Sequence, residues 1–287
     1  MPNKFSSKCI SLVQLIRLHA PTGYLLSFFP TAFGLMLAYE RSVDLHYLPV
    51  FFIGSILTRG AGCIVNDLFD RNLDKNVERT KNRPIASEAI TTIEAMLLLA
   101  ILLCACLVIL LYLSVTAIAV GLITIFLIIL YPLMKRITYF PQAFLGVTFN
   151  MGCLIGYATV KDAISLDSII LYIACGFWTM GYDTIYAFMD IKDDKKVGIK
   201  STAIIFEQRY FRLVIAVFYA LFLTLFMFAM RNFLFVYVIL AALACLLIIF
   251  WIIIYLDVND PNNCLICFKA NNYIGFLLFL AMLLEKL

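Results

Sequence analysis

Apolar runs of about 20 residues recur along the whole chain, each long enough for a helix to cross a hydrocarbon core of roughly 30 Å. Nine are read, at 23–39, 46–65, 95–112, 115–133, 141–160, 167–189, 211–230, 233–255 and 270–284. Backbone polar groups in lipid must be satisfied within the segment, which selects helices, and the alternating pattern of a membrane barrel is absent. Charged residues are only 14% of the 287, against about 25% in soluble domains. The longest polar interruption is too short for a separate soluble unit. The expected fold is therefore all-α: one polytopic membrane domain over 1–287, with nine transmembrane helices.

Orientation follows from the basic residues. With nine spans, the N-terminus and the loops after the even-numbered spans share one side, and that side carries most of the 22 lysines and arginines. The positive-inside rule makes it cytoplasmic. The net charge of +4 is thus a topology signal, and no basic patch suggests nucleic acid as a partner; the lipid bilayer is the expected surroundings. No signal or transit sequence is evident, which favours a bacterial plasma membrane, with the mitochondrial inner membrane as the alternative. Most of the nine cysteines fall in apolar runs and read as small buried hydrophobes. Cys264-Leu265-Ile266-Cys267 lacks a second pair or a nearby His, so packing is the better reading than redox or metal work.

Two acidic clusters stand just past the ends of the second and sixth runs, Asn66 to Asp74 and Asp183 to Asp194. Both fall on the basic-rich side. Carboxylates at a bilayer edge are costly and usually mark function. A helix advances about 100° per residue, so Asn66, Asp70 and Asp74 lie at roughly 0°, 40° and 80°, on one face that Asp67 borders. In the second cluster Asp183, Asp190 and Asp194 fall at roughly 0°, −20° and +20°, tighter still, while Asp193 points away to solvent. Such oxygen-rich faces suit Mg²⁺, a hard ion that bridges readily to phosphates.

Cations complete the pattern. Arg79 and Arg83 follow the first cluster, Lys135 and Arg136 cap the fourth run, and Lys200 follows the second cluster. Guanidinium and ammonium groups beside a metal suit a diphosphate, as a substrate group or a leaving group. Arg59 lies inside the second run, where an unpaired cation is expensive, and so should face a polar cavity. Lys192, Lys195 and Lys196 read as topology determinants, and His19 and His46 receive no role. An ion-coupled carrier is the competing class, but carriers usually place their sites at the midplane and not at one edge.

The stretch AGCIVNDLFDRNLDKNVERTKNRPIAS (61–87) resembles the first aspartate motif of the UbiA-type intramembrane prenyltransferases. YPLMKRITYFPQAFLG (131–146) resembles the connector after the family's fourth helix, and CFKANNYIGFLLFL (267–280) its last helix. YDTIYAFMDIKDDKKVGIKSTAIIF (182–206) is similar to the second motif in its hydroxybenzoate branch, with Lys192 where members often carry an acid. Near the start, Arg17-Leu18-His19-Ala20-Pro21 departs from a more usual Arg-Leu-Asp-x-Pro. The resemblance implies nine helices around a central cavity with a cytoplasmic-side cap, and Mg²⁺-dependent transfer of an all-trans polyprenyl group from polyprenyl diphosphate to carbon 3 of 4-hydroxybenzoate, in ubiquinone biosynthesis. It implies that Asn66, Asp70, Asp74, Asp190 and Asp194 hold Mg²⁺–diphosphate, with Asp183 joining or supporting them. Asp70, Asp74, Asp190 and Asp194 would be the catalytic carboxylates. Arg79, Arg83, Lys135 and Lys200 would grip the diphosphate, and Arg59, Arg71 and Arg17 would lie near the aromatic carboxylate.

Overall fold

The computed structural model describes residues 4–40, 42–206, 210–232 and 236–286, all of them in helices and the turns between. The helices are α1 (Lys4–Leu15), α2 (Pro21–Ala38), α3 (Tyr47–Asp74), α4 (Thr92–Leu111), α5 (Val115–Ile137), α6 (Pro141–Phe149), α7 (Met151–Lys161), α8 (Leu166–Ala187), α9 (Ile191–Val197), α10 (Thr202–Phe206), α11 (Phe211–Ala229), α12 (Val236–Tyr255) and α13 (Pro261–Lys286). Their starts are written locally. Proline opens α2, α6 and α13, where its missing N–H is no loss. Thr91 and Glu94 form a capping box on α4, Ser165 and Ser168 one on α8, and Ser114 caps α5.

Eight of the described helical segments are long and apolar enough to cross a membrane, one fewer than the nine read from sequence. The difference lies in the sixth run. A 22-residue helix, α8, does form there, but Asp183 and several Thr, Tyr and Gly residues dilute its apolarity. That polar face has a destination, because Asp183 and Tyr186 turn toward the cavity described below. The fifth span is built in two pieces, α6 and α7, hinged at Asn150. The Asn150 amide bridges the hinge, donating to the Gly146 carbonyl at 2.7 Å and to Thr179 Oγ1 at 2.8 Å.

Lipid offers no hydrophobic contrast between helices, so close packing and internal hydrogen bonds hold the bundle together. Helices α2 and α7 meet backbone to backbone. A Cβ on Gly34 would sit 1.9 Å from the Cys153 carbonyl oxygen, and one on Gly156 2.2 Å from that of Thr31. Asn271 of α13 gathers two more helices: Trp178 Nε1 and Tyr219 OH both donate to its Oδ1, at 2.8 and 2.9 Å. Trp178 stacks on Phe222 with ring centroids 5.2 Å apart. Outward, α4 and α12 expose Val108, Leu247 and Phe250, a side-chain set suited to acyl chains. All nine cysteines are free, and Cys264 and Cys267 are buried as packing residues.

A second, smaller core lies under one end of the bundle. Ile85 and Ile90, from the turns between α3 and α4, are buried against Leu15, Ile64, Ala95 and Leu102. The polar stretch after α3 is therefore an anchored cap and not a loose loop. Gly156→Val should force α2 and α7 apart at a cost of about 1–3 kcal/mol. A lowered melting temperature in detergent is expected, and an unchanged one would contradict this contact.

Candidate active site

The two acidic clusters meet over one cavity. Helices α3 and α8 both run toward the capped end, and the cavity between them, about 350 Å³, is lined by Asn66, Asp70, Asp74, Asp183, Asp190 and Asp194. Arg17, Arg59, Arg79, Arg83 and Lys200 line it as well. Its deeper wall is apolar, with Phe51, Leu110, Leu113, Ile128, Phe149 and Ile155. A polar mouth over an apolar interior fits an amphiphile whose charged head stays at the cap.

Each acidic face is answered by arginine. Arg79, in the first cap, reaches across to the second cluster: Nε donates to Asp190 Oδ1 at 2.6 Å, Nη2 to the other oxygen, and Nη1 to Tyr186 OH at 3.1 Å. Burial works against the Arg79 charge, but Tyr186 and Asp190 outweigh it and hold the guanidinium above its usual range. Arg83 Nη1 donates to Asp74 at 2.8 Å and to Asp67 at 3.2 Å. Arg17 donates to Asp67 at 2.7 Å. Arg17 stands just past α1 in a left-handed backbone with φ 55°; its N–H donates to the Gln14 carbonyl at 3.0 Å and that of Leu18 to Val13 at 3.2 Å, the pattern that closes a helix C-terminus. Burial opposes its charge too, yet Cys63 and Asp67 keep it raised.

The second cluster is not one continuous helix. After α8 the chain tightens into a 3₁₀ turn, Phe188–Asp190, before α9. The turn puts Phe188 into the core against Phe211, 5.6 Å between centroids. Three steps of about 120° rotate Asp190 by roughly 60° relative to a pure α-helix, which leaves it on the cavity side. Gly198 then ends α9 at φ 73°, and Ile199 N–H closes back on the Asp194 carbonyl at 3.0 Å. The left-handed C-terminal residue is the position glycine fills without strain. Thr202 fixes the rest of this cap, its N–H donating to Gln142 Oε1 and its hydroxyl meeting that of Thr184.

One of the residues expected at the site stands elsewhere. Arg71 is not among the lining residues; it donates to Thr92 at 3.3 Å and pairs with Glu88 at 3.6 Å on the outer side of the cap. One helical step from Asp70 turns it away. The Lys135 side chain lies outside the described residues. Lys200 lines the cavity with its ammonium on the Ile137 carbonyl at 3.1 Å and near the Tyr139 ring. Asp183 lines the cavity but sits about two turns deeper than Asp190. Asp67, read only as a border residue, is the buried hub for Arg17 and Arg83. Tyr131, Tyr186 and Gln142 were not singled out; their place in the motif-like stretches was the only signal.

The donor set is compatible with Mg²⁺. Among the described residues no three His, Cys, Asp or Glu side chains form a ready metal cage. Mg²⁺ does not need one, because it usually keeps several waters and takes one or two carboxylates plus substrate phosphates. All the acidic donors here are oxygens, split between two facing walls.

The family model for UbiA prenyltransferases matches residues 27–282. The chain belongs to this family. A 4-hydroxybenzoate octaprenyltransferase of Pasteurella multocida is 37% identical over 280 residues, 96% of this chain and 95% of that one. The mitochondrial 4-hydroxybenzoate polyprenyltransferase of Rattus norvegicus is 43% identical over 201 residues, 68% of this chain and 53% of that one. Among solved structures, the apo UbiA homolog of Aeropyrum pernix K1 superposes with TM-score 0.77 at 22% identity, over 92% of this chain and 98% of that one. The Archaeoglobus fulgidus homolog bound to GPP and Mg²⁺ gives 0.74 at 17% identity, over 96% and 99%. At such identities these two structures speak for the fold.

Arg83→Ala would leave Asp67 and Asp74 facing each other with less counter-charge, and breaking a buried pair costs about 3–5 kcal/mol. Faster hydrogen exchange across residues 75–90, with the spans unaffected, is the expected result. Unchanged protection there would show that the cap does not depend on this arginine.

Proposed function

We propose that the protein is a 4-hydroxybenzoate polyprenyltransferase of ubiquinone biosynthesis, working with Mg²⁺ at the cytoplasmic face of a bacterial plasma membrane. The observation that carries this reading is the meeting of both acidic clusters, with Arg79 and Arg83, at the polar mouth of an apolar cavity. The near-full-length likeness to octaprenyltransferases of that name supports the acceptor. The cytoplasmic assignment rests on the basic residues clustered at the capped end.

The diphosphate of a polyprenyl diphosphate sits at the mouth, with its chain along the apolar wall. Asn66, Asp70, Asp74, Asp190 and Asp194 would supply oxygens to Mg²⁺ there. When bound, the ion supplies positive charge for the diphosphate oxygens as the C–O bond weakens. Arg79 and Arg83 give up part of their pairing with Asp190 and Asp74 to hold the same oxygens. Lys200 lines the same cavity and is a further candidate, and Lys135 is retained as one from its position in the connector. The carboxylates and arginines thus exchange partners on binding, and the unliganded pairs keep the charges neutralised until then.

On the acceptor side, Arg59 is the cation for the aromatic carboxylate. It lies seven residues before Asn66, roughly 10 Å deeper along α3, with its guanidinium over the Phe149 ring at 5.5 Å. Gly23 leaves room for it; a Cβ there would meet Arg59 Nε at 2.7 Å. Arg17 is occupied by Asp67 and Arg71 by Glu88 and Thr92, so both serve the cap.

Asp70→Ala and Asp190→Ala are each expected to abolish turnover while the protein still inserts. Excess chelator should do the same, and full activity under any of these conditions would remove the mechanism. Arg59→Ala should raise KM for the aromatic acid by about tenfold or more, the worth of a charge-assisted hydrogen bond. Mass spectrometry of products from 4-hydroxybenzoate and a polyprenyl diphosphate, with and without Mg²⁺, reads both effects.

A further inference from the structure

Resting on that reading, we infer that Asp183 is a catalytic carboxylate for the acceptor, receiving the hydroxyl proton of the phenol, and is not a ligand of the metal. The argument is one of depth and pairing. Asp183 precedes Asp190 by seven residues, four along α8 and three through the 3₁₀ turn, which places it roughly 10–12 Å below the mouth. Arg59 lies about as far below Asn66 on the opposite wall. These two charged side chains share one level of the cavity, below the carboxylates of the cap.

Their pairing differs from that of Asp67, Asp70, Asp74 and Asp190 above them. Asp67, Asp74 and Asp190 each accept an arginine at hydrogen-bond distance, and Arg136 stands 3.8 Å from Asp70. Asp183 faces Arg59 electrostatically, yet among the described residues no ion pair or hydrogen bond joins them. Both line the same cavity. Opposite charges that face without touching, in a setting where contact would be favourable, suit a ligand carrying an anion at one end and a donor at the other. A para-hydroxy aromatic acid has that form: carboxylate toward Arg59, hydroxyl toward Asp183.

The step balances as follows. The C–O bond of the polyprenyl diphosphate breaks, its electron pair leaving with the diphosphate. Carbon 3 of the ring gives the electron pair of the new C–C bond, while the hydroxyl proton passes to Asp183 and a neutral dienone remains. Carbon 3 then releases its proton to the diphosphate, its C–H pair restoring the ring, and Asp183 returns its proton to the oxygen. Taking up the hydroxyl proton raises electron density at carbon 3 at the moment of attack.

The test uses the full-length protein in detergent or nanodiscs, with Asp183→Asn and Asp183→Glu. Asp183→Asn should lower transfer to 4-hydroxybenzoate by about 10²–10⁴-fold, the usual worth of a general base. Its affinity for polyprenyl diphosphate and its Mg²⁺ requirement should stay within a few-fold of wild type, and Asp183→Glu should restore part of the rate. Weakened diphosphate binding or a raised Mg²⁺ requirement in Asp183→Asn would return Asp183 to the metal set and overturn the inference, as would an unchanged rate. If the variant does not fold, the wild-type protein still decides. There 4-hydroxybenzoate should bind about tenfold more tightly than benzoate or 4-methoxybenzoate, and equal affinities would overturn the inference. A wild type that turns over no 4-hydroxybenzoate at all would instead sink the proposed function, so the two failures are distinguishable.

Discussion

Charges in a membrane protein survive only where something answers them, and here the answer is a bridge between the two halves of the cap. Arg79 leaves the turns after α3 and closes on Asp190 beyond α8, with Tyr186 completing the set. The contact joins residues more than a hundred positions apart and brings both acidic faces to one mouth. Within the first cap Arg83 pairs with both Asp67 and Asp74, and Arg17 adds a second positive charge at Asp67. Without these pairs, desolvation would disfavour so many carboxylates beside an apolar cavity.

The bridge makes sense of details that look unrelated. The left-handed backbone of Arg17 closes the end of α1 and leaves its guanidinium on the buried Asp67. The apolar underside of the first cap, Ile85 and Ile90 against Leu15 and Ile64, holds Arg79 and Arg83 in range. On the other side, Thr202 bonded to Gln142 and Thr184 holds the second cap to the bundle. Further down, close glycine contacts between α2 and α7 and the Asn271 hub lock the walls of the cavity. The mouth is thus electrostatic and exchangeable, whereas the walls are steric and fixed. That division suits a site that must admit a charged head without loosening the bundle around a long tail.

The cavity also sorts its charged residues by depth. The mouth holds several carboxylates with their arginines; the interior holds Arg59 and Asp183, facing and unjoined. A charged head and a ring can then be held by separate sets of charges, one at the mouth and one below it, without the charges of one set quenching those of the other.

Much of this was legible in the chain itself. Apolar runs of membrane-spanning length gave the helical bundle, because lipid permits little else. The spacing of Asn66, Asp70 and Asp74 gave a shared face, because helix periodicity is local. Arg59 could be assigned to a polar cavity because lipid would not accept it. Other features needed the folded structure. Arg71 is in the same motif as Asp70, yet one residue of rotation sends it to Glu88 outside the site. The break after α8 follows from where Phe188 must be buried, and the depth of Asp183 follows from that break and the level of Arg59. Periodicity and hydropathy report on neighbours along one helix. Which arginine answers which carboxylate is set by how separate helices pack, and no local pattern carries that information.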